Sequence, residues 1–304
     1  MKYNVVQETR IGARRINQDR IGCWSTDECL LMAVADGLGG HLHGELAAHI
    51  AITLLGASFE REARPRISDP GNFLARAIGA SHVAILREAE QRRLADTPRT
   101  VIVACIVQDG FVYWMHIGDS RLYLIRNGRI VHRTRDHTVV QQLFDAGRIR
   151  EEAITSHPER NRLLQCLGGV QAPRIDAAGE RLEKDDICLL CSDGLWGPLT
   201  QRQFVHALAT QPLPQAIESL LELAEARAAH EADNTSVVAL AWGEERVALP
   251  EDGPATVPYT ELRTDVQDFT ATDMDFLRMT DEDVEKAIDE IKAALRKNVP
   301  PGPQ

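Results

Sequence analysis

Two apolar runs in this sequence end on the dipeptide Asp-Gly, and neither is followed by a partner strand. The first run, residues 30–37, reads "LLMAVADG", and the second, residues 187–194, reads "ICLLCSDG". An Asp-Gly pair is typical of a tight turn between hairpin strands. The same pair fits a carboxylate held at a strand end, where glycine lets the backbone and a ligand approach closely. Taken singly, each pair is compatible with either interpretation.

A third aspartate, Asp233, directly precedes another apolar run, "NTSVVALAW". Asp36 and Asp193 close the two earlier runs. If the three carboxylates meet at strand ends, they form an all-oxygen site, which suits a hard cation such as Mg²⁺ or Mn²⁺. The spacing alone does not decide between such a site and separate turns.

The composition is that of an ordinary globular chain, with 304 residues, 44% hydrophobic content and six scattered cysteines. The longest apolar runs reach about eight residues, whereas a membrane-spanning helix needs about 18. We therefore expect no membrane segment and a cytoplasmic location. Cys188 and Cys191 have CxxC spacing, but residues three apart on a strand face opposite sides, so we expect buried reduced thiols.

The formal net charge is −11, and residues 251–304 contribute 13 acidic and 6 basic side chains to it. Neither this segment nor the rest of the chain has the basic excess typical of proteins that bind a phosphate backbone. We therefore expect no nucleic-acid partner.

The hydrophobic pattern predicts an α+β domain that ends near residue 243. Strands are expected at 3–9, 20–25 and 29–35, and helices at 44–60 and 70–94. Three turn signals between residues 100 and 134 separate β-rich runs in the manner of a meander. Residues 136–167 show a polar helical pattern, and beyond them a buried strand, two helices and a final strand are predicted.

Six motifs occur in the order "GARRINQDR", "ADGLGGH", "GDSRLYL", "RDHT", "CSDGLWG" and "DNTSVV". Together they resemble the metal-dependent type 2C (PPM) serine/threonine protein phosphatases in their compact bacterial form. The resemblance covers roughly residues 5–243, and it implies a four-layer αββα sandwich of two antiparallel sheets flanked by helices. We therefore predict a catalytic domain over residues 1–245 with a binuclear metal centre at one end of the sandwich.

The resemblance implies a role for each matching residue. Asp36 matches the carboxylate that bridges two ions, Mn²⁺ or Mg²⁺, and the Gly37 carbonyl is a further ligand. Asp193 and Asp233 match ligands of the ion on the other side of the bridge, and Asp19 matches a residue that reaches the centre directly or through water.

Two further positions match the family. Asp119 matches a position that binds an additional, weaker metal ion, and Arg14 matches the arginine that binds the substrate phosphate, with Arg15 as its neighbour. The implied mechanism is attack on phosphorus by a hydroxide that bridges the two ions, with Asp36 and Arg14 as the catalytic residues.

This chain departs from the family at Leu38, where some members have a histidine proposed as the general acid. His41 and His43 are close in sequence, but histidines beside a glycine turn are typical loop or helix-cap residues, and we assign them no role. Asp136-His137-Thr138 matches a family motif and equally fits a polar turn that enters a helix. Glu45 fits a residue at the positive end of a helix dipole.

Trp114 and Trp196 lie in or beside apolar runs, which favours a position in the core. Residues 246–265 are predicted to be a linker, and residues 266–304 an acidic extension with an amphipathic helix at about 280–298. That helix either docks on its own domain or binds a partner.

The predicted function is hydrolysis of phosphoserine and phosphothreonine on proteins, opposing a bacterial serine/threonine kinase. A catalytically weak or dead relative that acts as a binding module is the alternative, although all the acidic metal positions are present. A third class is a Mg²⁺ phosphohydrolase for small molecules. The phosphoaspartate type of that class has a second aspartate two residues after the first, where this chain has Leu38.

Overall fold

The computed structural model describes residues 1–39 and 43–243, so the predicted linker and acidic extension lie outside the described residues. Within them the chain forms ten strands: β1 Tyr3–Arg10, β2 Arg20–Ser25, β3 Cys29–Gly37, β4 Thr100–Gln108, β5 Phe111–Ile117, β6 Arg121–Arg126, β7 Arg129–Arg133, β8 Asp176–Arg181, β9 Ile187–Cys191 and β10 Thr235–Trp242. The helices in the same part of the chain are α1 Gly44–Glu62, α2 Pro70–Gln91, α3 Val139–Asp145, α4 Asp193–Trp196, α5 Gln201–Thr210 and α6 Leu213–Ala228.

The strands form two five-stranded antiparallel sheets. The first sheet has the order β1-β10-β9-β6-β7, and the second has the order β2-β3-β4-β5-β8. All the strand pairs are antiparallel. Each sheet therefore combines strands from separate parts of the chain, and the first strand of the domain, β1, pairs with the last, β10.

Alternation along the strands builds four layers. On β3, Leu30 and Met32 belong to a core shared with Leu190 of β9 and Val238 of β10, so they pack between the two sheets. Leu31 packs instead in a cluster that includes buried residues of α1 and α2. The outer face of the first sheet packs on α5 and α6 in the same way. The αββα sandwich is confirmed.

Local sequence signals explain where helices α2 and α5 begin. The Asp69 side chain accepts a 3.0 Å hydrogen bond from the Asn72 N–H at the start of α2, and Pro70 is the first residue of this helix. Thr200 and Gln203 form a capping box at the start of α5. Among the described residues, no helix is both long enough and apolar enough to cross a membrane.

The structure differs from the sequence expectation in three places. Residues 136–167, predicted to be helical, contain only the short helix α3 and a 3-10 turn at Glu151–Ala153. The β-rich stretch after residue 100 is two hairpins in different sheets and not one meander, because the chain crosses between the sheets at Gly118-Asp119. Strand β8 was not predicted, since its residues are mostly exposed and it lies at a sheet edge, where no apolar pattern is needed.

The two cysteines with CxxC spacing behave as expected. Cys188 packs between the sheets, whereas Cys191 packs against the helices on the outer face of the first sheet. All six cysteines are free, and Cys166 is the one that is not fully buried. Trp114 and Trp196 are also buried, which confirms their expected place in the core.

Helix α1 packs closely on β2 at Gly56. A Cβ atom at Gly56 would overlap the indole ring of Trp24, and a Cβ at Gly22 would meet the same ring. We expect Gly56→Ala to lower the free energy of unfolding by about 1–3 kcal/mol through overpacking, although alanine favours a helix by about 1 kcal/mol. Urea unfolding measures this change. Gly71→Ala is the matched control, because its Cβ would have no neighbour closer than 3.5 Å, and equal stability of both variants would contradict the packing argument.

Candidate metal centre

Five aspartates lie at one end of the sandwich, where strands of both sheets begin or end. Asp36 is the penultimate residue of β3, and Asp19 immediately precedes β2, which pairs with β3. Asp193 begins α4 just after β9, and Asp233 lies two residues before β10. Asp119 occupies the crossing from β5 to β6. Antiparallel pairing brings these strand ends together.

The carboxyl groups lie close enough to interact electrostatically. The charges of the other four aspartates of the cluster each raise the pKa of Asp36. Asp19 is 1% exposed, and the Ser192 hydroxyl donates a 2.7 Å hydrogen bond to its Oδ2 atom. The Oδ1 atom of Asp19 is buried and has no hydrogen-bond partner among the described residues. A buried carboxylate oxygen without a donor is positioned to bind a cation.

Desolvation and like charge shift the proton affinities of these carboxyls. Desolvation, followed by the charges of Asp19 and Asp193, raises the pKa of Asp36 well above its usual range. Desolvation and the charge of Asp233 raise the pKa of Asp193 to about 7, and desolvation is also the main cause that raises the pKa of Asp19 to about 6. Desolvation and the charge of Asp193 raise the pKa of Asp119. The cluster therefore holds more negative charge than its protein surroundings neutralise.

Glycines make the close approaches that the sequence suggested. A Cβ atom at Gly37 would overlap the backbone of Gly44, at the start of α1. A Cβ atom at Gly194 would overlap the carbonyl of Asn234, next to Asp233. The Asp-Gly pairs at 36–37 and 193–194 are thus closely packed strand ends, and neither pair joins two hairpin strands.

Arg14 faces the carboxylates from a loop. Its Nη2 atom lies 2.7 Å from Asp233 Oδ2, and its side chain is 54% exposed. The loop is fastened to the segment that carries Asp233, because the Asn234 side chain accepts from the Gln18 N–H at 2.8 Å and donates to the Ile11 carbonyl at 2.9 Å. The guanidinium is therefore held at the edge of the acidic cluster and is open to solvent.

A buried network supports Asp119. Arg121 forms a bidentate ion pair with Asp136 at 2.7 and 2.8 Å, and its guanidinium lies 3.4 Å from the centre of the Trp196 ring. The Trp196 Nε1–H donates a 2.9 Å hydrogen bond to the Asp119 carbonyl. These contacts fix the backbone at the crossing between the sheets.

A cleft of about 730 Å³ opens beside the cluster. Its lining includes Arg14, Asp119, Asp193 and Asp233. The lining also includes residues from the segment after α3, from the end of α6 and from the turn that follows α6: Ile154, Thr155, Arg160, Asn161, Arg227, His230 and Glu231. The cleft is large enough for a small ligand or for a side chain with its flanking residues.

The family model "Protein phosphatase 2C" matches residues 6–232. This chain belongs to the protein phosphatase 2C family. The match covers strands β2 to β9 and four of the five aspartates of the cluster, and Asp233 follows it directly.

Two curated relatives of this chain are bacterial phosphatases. The chain is 34% identical over 202 residues to the serine/threonine protein phosphatase PstP of Mycobacterium tuberculosis, a match that covers 64% of this chain and 37% of PstP. It is 30% identical over 223 residues to a putative protein phosphatase 2C-type of Streptococcus pyogenes, covering 72% of this chain and 90% of the relative. The chain thus spans about a third of PstP.

Solved structures of the family have the same architecture. The serine/threonine phosphatase of S. agalactiae superimposes with a TM-score of 0.71 and 28% identity, covering 79% of this chain and 99% of that one. The catalytic domain of PstP in complex with two manganese ions superimposes with a TM-score of 0.67 and 29% identity, covering 79% and 98%.

The other residues singled out in the sequence have mostly structural partners. His43 is the N-cap residue of α1 and makes no side-chain capping bond, while His41 lies outside the described residues. Glu45 accepts a 3.2 Å hydrogen bond from Gln18, so it also ties α1 to the loop before β2. In the Asp136-His137-Thr138 motif, Asp136 pairs with Arg121 and Thr138 caps α3.

Sequence reasoning missed the residues that hold the cluster in place. Ser192 and Asn234 each sit directly beside a predicted ligand, so their adjacency to Asp193 and Asp233 was a usable signal. Arg121 lies inside the quoted motif "GDSRLYL", but nothing in the sequence indicated its contact with Trp196.

Proposed function

We propose that this chain is a divalent-cation-dependent protein phosphatase that hydrolyses phosphoserine and phosphothreonine. The observation that carries the proposal is the convergence of five aspartates at one end of the sandwich, with an unsatisfied carboxylate oxygen on Asp19 and raised proton affinities in four of the five. Such a cluster needs positive charge before all its members can ionise at neutral pH.

In this proposal the residues present fit two Mn²⁺ or Mg²⁺ ions, because every donor is a carboxylate or carbonyl oxygen. The donors are Asp19, Asp36, the Gly37 carbonyl, Asp193 and Asp233, and Asp119 holds a further, weaker ion. The PstP catalytic domain with two manganese ions supports the count of two. When bound, such ions supply positive charge at the phosphoryl group and activate a water molecule as the nucleophile.

Arg14 is proposed to bind the substrate phosphate. Its guanidinium now pairs with Asp233 and is half exposed toward the cleft. When Asp233 binds a cation, its negative charge is shared between that cation and Arg14. The Arg14 guanidinium can then offer two parallel N–H groups to a phosphate dianion. Residue 38 is a leucine, whose side chain has no acidic proton to donate, so another group must protonate the leaving group.

The proposed substrates are proteins that a serine/threonine kinase has phosphorylated. The cleft beside Arg14 has room for a phosphorylated side chain with flanking backbone, and its lining includes the polar side chains of Asn161, Arg227 and Glu231. The relatives named as serine/threonine phosphatases support this class of substrate.

The test is phosphate release from phosphothreonine and phosphoserine peptides by the whole chain. We expect release with Mn²⁺, loss in EDTA and recovery when Mn²⁺ is added back, with sugar phosphates and nucleotides hydrolysed at least about a hundredfold more slowly.

Arg14→Gln is expected to raise KM for the peptides. The affinity for Mn²⁺ should be unchanged or higher, because Asp233 loses its cationic partner.

Two outcomes would overturn the proposal. Mn²⁺ binding without phosphate release from any peptide would indicate a binding module. Faster hydrolysis of sugar phosphates or nucleotides than of peptides would indicate a small-molecule phosphohydrolase.

A further inference from the structure

A second group of potential metal ligands lies outside the aspartate cluster. His116, His137 and Asp176 each offer one nitrogen or oxygen atom, and the three atoms lie within 4.8 Å of one another. The proposed phosphatase chemistry uses none of these residues. Unlike the aspartate cluster, this group combines two imidazoles with one carboxylate.

The fold itself brings these three side chains together. His116 on β5 is directly opposite Asp176 on β8, so both side chains point to the same face of the sheet. His137 is held by its backbone, whose N–H donates to the Gly118 carbonyl at 2.9 Å. Its ring stacks on that of His116 with centroids 4.7 Å apart, and its Nε2 atom lies 3.3 Å from Asp176 Oδ2.

One ring nitrogen of His116 is buried with nothing to bind. The side chain is 3% exposed, and its Nε2 atom lies 2.9 Å from the Arg135 carbonyl. Because a carbonyl only accepts, Nε2 carries the hydrogen, and Nδ1 keeps a free lone pair. Nδ1 has no hydrogen-bond partner among the described residues. A histidine that ligates a metal has this arrangement, with its other nitrogen donating to a backbone carbonyl.

We propose that His116, His137 and Asp176 form a separate cation site for a borderline ion of the Zn²⁺ class. Two imidazole nitrogens and a carboxylate suit Zn²⁺, Cu²⁺ or Ni²⁺, whereas the all-oxygen aspartate cluster suits Mn²⁺ and Mg²⁺. Three protein ligands leave a fourth position for water. The Asp176 side chain is 34% exposed, so an ion can enter from solvent.

Two existing contacts limit the affinity of this site. The Gly118 N–H donates to His137 Nδ1 at 3.2 Å, so the proton of this ring now lies on Nε2, toward Asp176. A metal ion bound to His137 Nε2 displaces the proton from that atom. The imidazole then stays neutral only if Nδ1 takes up the proton, and a protonated Nδ1 can no longer accept the hydrogen bond from the Gly118 N–H. Arg174 also lies 3.2 Å from Asp176 Oδ1, which leaves Oδ2 for the metal. We therefore expect weaker binding than at a closed structural zinc site.

The experiment measures binding by the untagged whole chain in excess Mg²⁺, which occupies the aspartate cluster. Cu²⁺ is the spectroscopic probe, because its electron paramagnetic resonance spectrum reports directly bound imidazole nitrogens. We expect two coordinated nitrogens at one equivalent of Cu²⁺ and displacement of Cu²⁺ by excess Zn²⁺. His137→Gln is expected to lose one nitrogen, and both His137→Gln and Asp176→Asn are expected to weaken Zn²⁺ binding at least about tenfold.

His132→Gln is the matched control. His132 also lies at a sheet edge, packs against the ring of Trp114 and pairs with a carboxylate, Glu180, at 3.0 Å. It is not part of the three-residue group, so the variant should bind as the wild type does. A spectrum without coordinated nitrogen, or equal Zn²⁺ affinity in the wild type, His137→Gln and Asp176→Asn, would overturn the proposal. Because the readout is metal binding and not hydrolysis, failure of this site leaves the phosphatase proposal unaffected.

Discussion

The Asp193→Asn variant is expected to hydrolyse a phosphothreonine peptide with a kcat/KM at least about a hundredfold below that of the wild type. Asparagine keeps the size of the side chain at the start of α4 but removes one negative charge from the cluster. The cations then bind more weakly, and the charge that offsets the phosphoryl group is lost with them. Steady-state kinetics over a range of Mn²⁺ concentrations separates weaker metal binding from a lower maximal rate.

Asp185→Asn is the control for this substitution. Asp185 is exposed, precedes β9 at the end opposite to Asp193, and has a positive φ of 68°, which asparagine tolerates. Its activity should match that of the wild type. In EDTA, Asp193→Asn should be at least as stable as the wild type, because a source of repulsion is gone. Low activity combined with a clear loss of stability would instead indicate damage to the fold.

The second large effect is a loss of stability in the metal-free protein as the pH rises from 6.5 to 8. The pKa values of Asp36, Asp119 and Asp193 are raised in the folded chain, that of Asp193 to about 7. The folded state therefore holds more protons than the unfolded state, and stability falls as these groups ionise. Each extra proton held by the folded state lowers the free energy of unfolding by about 1.4 kcal/mol per pH unit. We therefore expect Tm in EDTA to fall by about 5–10 °C over this range.

The pH window is set by other buried groups. Burial lowers the pKa of His49 and His82 to about 4. These histidines therefore make the stability rise with pH below pH 6.5, which is opposite to the effect of the aspartates. Burial raises the pKa of Cys23 to about 12, which adds a further loss of stability above about pH 8. Between these limits the aspartate cluster dominates.

Calorimetry or thermal unfolding of the whole chain checks the prediction. Mn²⁺ should raise Tm more at pH 8 than at pH 6.5, because it binds the ionised cluster of the folded state. Asp36→Asn should flatten the slope in EDTA, while Asp185→Asn should keep it. A Tm in EDTA that does not change over this window would contradict the repulsion among these carboxylates.

The part of the site that could be predicted from sequence is the part with a local signature. Asp36 and Asp193 each end an apolar run and are followed by glycine, so the pattern and the chemistry lie within a few residues. The ordered motifs then place Asp19, Asp119 and Asp233 near them. The structure brings all five together, and their roles as ligands remain a prediction.

The parts that could not be predicted depend on contacts between distant segments. The turn at Gly118-Asp119 looks like any hairpin turn, and only the pairing of β6 with β9 shows that the chain has changed sheets. His116 lies opposite Asp176 because β8 pairs with β5. Strand β8 lacks the apolar alternation by which strands are recognised in a sequence. Side-chain geometry at such crossings is set by tertiary packing.

The order of the aspartates along the chain has a consequence for protein synthesis. They begin at Asp19, and the last, Asp233, lies just before β10, the strand that pairs with both β1 and β9. A nascent chain on the ribosome lacks this last carboxylate and the strand beside it until almost the entire domain has been made. The complete aspartate cluster therefore cannot form during most of translation, and a truncated product that ends before β10 lacks the strand beside it that pairs with both β1 and β9.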